Sequence, residues 1–318
     1  MKKLLSVLSL AVFLSGCSSV GEPPKPPEEM LKGAFENFGD VLSANYEIGV
    51  EADIDSPDSG KTGFDFALDG LFDFQKEEEP QVGVKLDGTF TDENAEVPNG
   101  NYKFELRLDK DALYSLISEV PKDDNVPADL AEQFLGKWWR ITLPPQYLNG
   151  ADLAFWTKPA DESQMTAEEK AMKDIFEKTE FFREIKYLGT GKVLGENSFR
   201  YSAKLDKEAV KAFVAEAENF SGDKISKEDL ESFNFALQSS DLNVEVWVGA
   251  EDLTLHKLSG SMAFDGKEAG KVDLKFDISF GELNTDLSVE IPEDAQEFDP
   301  FSYLQMMQQS DAQLPANG

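Results

Sequence analysis

Of the 318 residues, one is cysteine and one is histidine. A lone cysteine makes no internal disulfide, and the pair offers no Cys/His set for a structural zinc site or for thiol–imidazole catalysis. Basic residues are also scarce, with 30 Lys and Arg against 62 Asp and Glu and a formal charge of −32. Binding a polyanion requires clustered cations that displace counterions from phosphate, so nucleic acid is excluded as an expected partner. The same charge repels anionic lipid headgroups. What is plentiful is core material: 41% of the chain is apolar and 24 residues are Phe. That is too apolar for a disordered chain, and the length suffices to bury a large core.

The amino terminus reads as an address. Lys2 and Lys3 precede an apolar run from Leu4 to Leu14, and small residues Ser15 and Gly16 lead to Cys17. Eleven residues rise only about 16 Å as a helix, roughly half of a bilayer core, so the run is a signal and not a span. Leu14-Ser15-Gly16-Cys17 resembles the lipobox of bacterial lipoproteins. That resemblance implies a diacylglyceryl group on the Cys17 thiol, cleavage before Cys17 and acylation of the new amino terminus. The bland alternative is a secretory signal with an incidental cysteine. Two or three acyl chains, at about 0.8 kcal/mol per buried methylene, anchor firmly where one binds marginally. Loss of Lys2 and Lys3 with the signal takes the charge from −32 to −34, so lipid holds at the membrane a body that the surface repels. Ser18, not Asp, follows Cys17; in bacteria with two membranes this resembles the pattern for export to the outer membrane.

Residues 1–16 are thus expected to be the signal peptide and 17–29 a lipidated tether, in which Pro23, Pro24, Pro26 and Pro27 favour extended geometry at about 3.1 Å per residue. A single folded domain is expected over 30–292, followed by a short helix and polar tail over 293–318.

Within that domain, apolar residues recur with period two over long runs, as in Val272, Leu274, Phe276, Ile278 and Phe280 against Lys271, Asp273, Lys275, Asp277 and Ser279. The same alternation runs through Tyr46 to Ile54, Phe64 to Phe74, Val82 to Phe90 and Tyr102 to Leu108. Strands of a parallel sheet are covered on both faces and read as solid apolar runs, so this pattern predicts antiparallel strands with one wet face. Between Leu253 and Phe264 the apolar phase slips, which predicts a β-bulge near His256 and Lys257. Helices are expected over Pro27 to Ser43, Ala128 to Leu135, Thr166 to Phe182, Asp206 to Asn219 and Ser226 to Gln238, the third opening on a Thr166/Glu169 capping box. Strands and helices are segregated, which is an α+β pattern.

The stretches Leu106 to Ile117 with Lys137 to Leu143, and Leu242 to Leu258 followed by long strands ending at Val289 to Pro292, resemble the LolA/LolB and LppX/LprG half-barrel lipoproteins. The resemblance implies an open, curved antiparallel sheet of about 10–12 strands, with helices packed on or over its concave face. In that family the concavity often accepts acyl chains, and there is no catalytic signature to transfer.

The candidate ligand-binding stripe is therefore Phe64, Phe66, Phe72, Phe74, Phe90, Phe104, Trp139, Phe276 and Phe280. Two readings stand: a core filled by the protein's own side chains, or a cleft for a lipid or other apolar ligand. Acidic clusters at Asp53, Asp55 and Asp58 and at Asp92 to Glu96 miss the calcium-loop spacing, since Pro57 occupies the fifth position, and read as solvated surface. Ser221 to Lys224 and Lys61 to Gly63 match serine acyl-enzyme fragments in the wrong order. His256 has no G-x-S-x-G serine to activate and reads as a surface or bulge histidine. No catalytic residue, cofactor or metal site is assigned. The expectation is a non-catalytic cell-envelope protein that meets the membrane through Cys17.

Overall fold

A computed structural model of the chain describes residues 21–57, 60–76, 79–94, 98–110, 112–122, 133–142, 166–221, 226–240, 242–266 and 270–299. Helix α1 (Pro27–Phe38) starts on a proline whose missing N–H costs nothing in a first turn, with Glu28 and Glu29 at the positive end of the dipole. Five strands follow as a meander: β1 (Ser43–Ser56), β2 (Gly60–Asp73), β3 (Gln81–Asp92), β4 (Gly100–Asp109) and β5 (Ala112–Glu119). Next come β6 (Trp138–Thr142), α2 (Ala167–Lys178), β7 (Phe182–Val193), β8 (Glu196–Leu205), α3 (Lys207–Ser221) and α4 (Lys227–Ser239). Three long returns, β9 (Asn243–Gly249), β10 (Leu255–Gly266) and β11 (Gly270–Gly281), precede a two-residue β12 (Gln296–Glu297).

The twelve strands of the described residues form one sheet, in the order β12-β6-β5-β4-β3-β2-β1-β11-β10-β9-β8-β7. It is open, with β12 and β7 at its edges, as expected for an unclosed half-barrel. Register places the alternating apolar residues on one face. Val50 stands between Phe66 and Phe276, Ile48 between Leu68 and Ile278, and Leu86 between Leu68 and Phe104. Bulky rings face glycines across three ladders: Tyr46 opposite Gly70, Phe66 opposite Gly88 and Phe276 opposite Gly260. A Cβ added at Gly88 would lie 2.0 Å from Phe66 Cδ1, so that ring occupies the place of the missing side chain.

The buried core sits under one half of this face. Helix α1 sets Met30, Leu31 and Ala34 against Phe199, Tyr201, Val244, Val246 and Val248, all nearly inaccessible to water. Fully burying a side chain such as Leu31 or Met30 is worth about 1.5–3 kcal/mol, which fixes α1 over β7 to β10. Asp206 caps α3 through Oδ1, which accepts from the Glu208 and Ala209 amides. Phe181, Phe176 and Phe213 then join α2, α3 and the entry to β7.

Several expectations need correction. α1 stops at Phe38, because the chain turns at Gly39 and Asp40 and the Leu42 N–H is taken by Asn284 Oδ1, leaving Ser43 to begin β1. Phe182 belongs to β7 and not to a helix. No strand ends at Val289 to Pro292. There, the Leu287 and Val289 amides donate to Asp73 Oδ2 and Gln81 Oε1, and the Arg107 guanidinium bonds the Glu290 carbonyl. Residues 284–295 thus cross the strands as a strap held by side chains, Val289 fits over Gly83, and β12 joins β6 in parallel. The helix expected at Ala128 to Leu135 is seen only at its end, residues 133–134, and the remainder of it, with the capping-box side chain Glu169 and the tail helix after residue 300, lies outside the description.

Candidate functional site

Every residue of the proposed stripe is half-buried, and the stripe divides into three environments. Phe276 and Phe280 border the helix-covered core, and Phe38 of α1 lies on Phe280 with ring centroids 4.5 Å apart. Trp139, at the far end, is clustered with Phe134 and Phe298 at 5.3 and 5.6 Å, and its indole N–H approaches the Phe134 carbonyl. Between these ends, Phe64, Phe66, Phe72, Phe74, Phe90 and Phe104 project from β2, its exit, β3 and β4. Phe64 stacks on Phe66 at 5.5 Å and faces Phe90 across the ladder, while Phe72 stacks on Phe74 at 5.6 Å. None of these six joins the buried core cluster, and the described helices pack chiefly on β7, β9 and β10.

The opposite face is polar and carries two cavities lined by described residues. One, of about 620 Å³, is a groove across six strands in which Ser202, Ser259, Ser261, Gly49 and Ala67 are small. Ion pairs stand along it: Arg200 with Glu245, Lys257 with Asp277 and Lys275 with Glu51. Arg200 also stacks over the Trp247 ring at 5.3 Å, and its fork holds the Glu245 carboxyl below the usual carboxylate range. The other, of about 730 Å³, lies at one end of β1, β2, β3 and β11 and gathers Asp53, Asp55, Asp92, Glu93 and Asp273. Lys61 and Lys271 both stand opposite Asp55, and Glu93 and Asp92 accept from the Lys61 and Asn94 amides. Glu93 and Asp92 are thus engaged by backbone amides and Asp55 stands between two lysines, in keeping with a solvated acidic end.

The sequence missed one cluster. The bulge falls where expected, between Leu255 and Lys257, but its extra residue, His256, is 2% exposed and is not a surface histidine. Its Nδ1 is 3.1 Å from Ser198 Oγ, and its Nε2 is 2.9 Å from Asp252 Oδ2 and 3.6 Å from Glu196 Oε2. Gly249 makes room, since a Cβ there would meet Asp252 Oδ1 at 2.0 Å and His256 Nε2 at 2.4 Å. Burial pushes the Asp252 carboxyl up, but hydrogen bonds from His256 and the Thr254 amide outweigh it and hold the group below its ordinary value. Ser198, His256 and Asp252 have the order of a hydrolase triad. Ser198 is fully buried, however, so no substrate carbonyl reaches its hydroxyl and the chain is not a nucleophile relay. The period-two pattern signalled the bulge; the meeting of Glu196 and Asp252 from separate turns carried no local signal. The Lys61-Thr62-Gly63 fragment is ordinary β2, and Gly222 to Lys224 lie outside the description.

Among solved structures, the chain is similar to the lipoprotein LppX of Mycobacterium tuberculosis, at 9% identity and a TM-score of 0.33 over 83% of this chain and 98% of that one. It is also similar to LprF of Mycobacterium bovis, at 12% and 0.34 over 87% and 100%. A LolA superfamily protein of Nitrosomonas europaea aligns at 10% and 0.18 over 85% and 96%. Scores of this size transfer neither a ligand nor a mechanism. A comparison with curated proteins gives no significant match. Residues 1–18, which include Cys17, match the prokaryotic membrane lipoprotein lipid attachment site. By that attachment site the chain is a lipoprotein, anchored to a membrane at the cell envelope.

Proposed function

We propose that the protein, acylated at Cys17 and held out on a tether through Pro26, binds an acyl chain or similar apolar ligand on the β2 to β4 part of its sheet and catalyses no reaction. In bacteria with two membranes, Ser18 directs it to the outer one. The observation that carries this reading is the uneven cover on one continuous apolar face. Under α1, Tyr201, Val246 and Val248 are sealed from water, whereas Phe64, Phe66, Phe72, Phe74, Phe90 and Phe104 stay half-buried. Burying such surface against a ligand gains about 25 cal/mol per Å². A chain laid over aligned rings needs no directional polar contact, which suits an anchored protein that takes lipid from the membrane beside it.

A second reading has its own support: Phe38 lies on Phe280, and Phe134 and Phe298 stand around Trp139, so the protein's own rings meet both ends of the stripe. On that reading it is a structural or surface-interaction lipoprotein. Native mass spectrometry separates the two. A form lacking residues 1–17, exported behind a cleavable non-lipoprotein signal and purified from cells, is expected to carry lipid; absence of lipid, with no stabilisation by added fatty acids, rejects ligand binding.

A further inference from the structure

Glu196 opens β8, Asp252 sits in the β9–β10 turn, and His256 is the extra residue of the β10 bulge. Their ligand atoms all lie within 4.8 Å of one another. We propose that these three side chains bind one divalent transition-metal ion, for which Zn²⁺ is the probe.

Each group has one atom engaged elsewhere and one turned to the common point. Asp252 Oδ1 accepts from the Thr254 amide, which leaves Oδ2 toward His256. Glu196 Oε1 accepts from the Glu282 amide, which leaves Oε2 toward the same ring nitrogen. Nδ1 of His256 meets the buried Ser198 hydroxyl, a group that donates or accepts by rotating. A metal ion would take the place of the Nε2 proton that Asp252 otherwise accepts; with the remaining proton on Nδ1 donated to Ser198, the Nε2 lone pair faces the ion, the arrangement in which an outer hydrogen bond fixes a ligand's tautomer.

Metal bonds to His nitrogen and carboxylate oxygen of about 2.0–2.2 Å leave neighbouring ligand atoms about 3–3.5 Å apart. The observed separations from Nε2 are 2.9 and 3.6 Å. A histidine–aspartate hydrogen bond alone accounts for Asp252 but not for Glu196, because one Nε2–H points at one carboxylate. Two carboxylates converging on one nitrogen are like charges that a cation reconciles. The two carboxylates are 38% and 42% exposed, so an ion enters from water, while the imidazole is held from behind. Imidazole with carboxylates suits transition ions; calcium and magnesium sites are built from oxygen alone. This site is on the polar side of the sheet and is independent of the apolar stripe.

The test uses the full lipidated chain in detergent, stripped with chelator and titrated calorimetrically with Zn²⁺ in millimolar Ca²⁺. With Cys17 acylated and no second histidine, no other thiol or imidazole competes. One Zn²⁺ per chain is expected, with a shift of the single imidazole's Nε2 resonance. Losing an outer-sphere partner typically costs about 10- to 100-fold in metal affinity, and Glu196→Gln, which removes an exposed ligand, is expected to cost at least that while leaving circular dichroism unchanged. His256→Gln should abolish the site; should that variant fail to fold, Asp252→Asn replaces it, with the loss expected of Glu196→Gln. No Zn²⁺ uptake, displacement of Zn²⁺ by Ca²⁺, an unmoved imidazole resonance, or equal affinity in Glu196→Gln would each overturn the proposal.

Discussion

Phe38, the last residue of α1, lies on Phe280 of β11 with ring centroids 4.5 Å apart, and this contact marks where the helix-covered half of the apolar face gives way to the β2 to β4 half. Its removal should therefore be felt in stability. Phe38→Ala is expected to cost about 1–3 kcal/mol, below the range for a fully buried Phe because the ring is half-buried. Phe104→Ser, in the uncovered half, is expected to cost about 1 kcal/mol or less. Urea denaturation of both compares them directly; equal costs would mean that the two halves are equally filled.

The Phe66 ring and Gly88 form a second testable pair. Gly88→Ala places a Cβ at the ring and forces Phe66 out of its position, with an expected loss of about 1–3 kcal/mol. Adding Phe66→Ala should recover part of that loss, and a double-mutant cycle measures the coupling.

Alkaline titration reports on the core. Burial pushes the Tyr46 and Tyr201 phenols up to about 12, and the Tyr201 hydroxyl has no hydrogen-bond partner among the described residues. A phenol harder to ionise in the folded state adds stability that is intact below the ordinary value of 10 and lost as pH rises toward 12. Absorbance at the phenolate band should show a late step near that value, and Tyr46→Phe with Tyr201→Phe should remove it.

The Arg200–Glu245 pair gives the acid counterpart. The Arg200 fork, against a smaller opposing effect of burial, lowers the Glu245 carboxyl below 4.5, so its contribution is present at neutral pH and lost as pH falls through the lowered value. Both side chains are more than a third exposed, and the effect is expected to be about 1 kcal/mol or less. The stability gap between the native chain and Glu245→Gln should close on acidification; a gap independent of pH would show that the ion pair contributes nothing.

Period-two alternation was enough to find the long strands, because a half-wet sheet repeats its apolar residues every second position, and the slip in phase at Leu255 to Leu258 located the bulge. The strand end that the family resemblance implied at Val289 to Pro292 is instead a strap, which lays Val289 over Gly83 and gives the Leu287 and Val289 amides to Asp73 and Gln81. Helix starts were legible from Pro27, Thr166 and Asp206. The ends of the first two were not; in α1, Leu42 leaves the helix for a contact with Asn284, 242 residues away. The aromatic stripe could be read as one face, but its division by Phe38, Phe134 and Phe298 depends on packing between distant segments. Bringing Glu196 to His256 likewise needs the β8–β9–β10 register, which no local pattern encodes.

Photo-crosslinking with a diazirine-bearing fatty acid, followed by peptide mapping, tests the lipid-binding claim most directly. Adducts are expected on the peptides carrying Phe64, Phe66, Phe72, Phe90 and Phe104, and their yield should fall in Phe104→Ser. Labelling that is absent, or that falls on the charged groove of Arg200, Lys257 and Lys275, would contradict it.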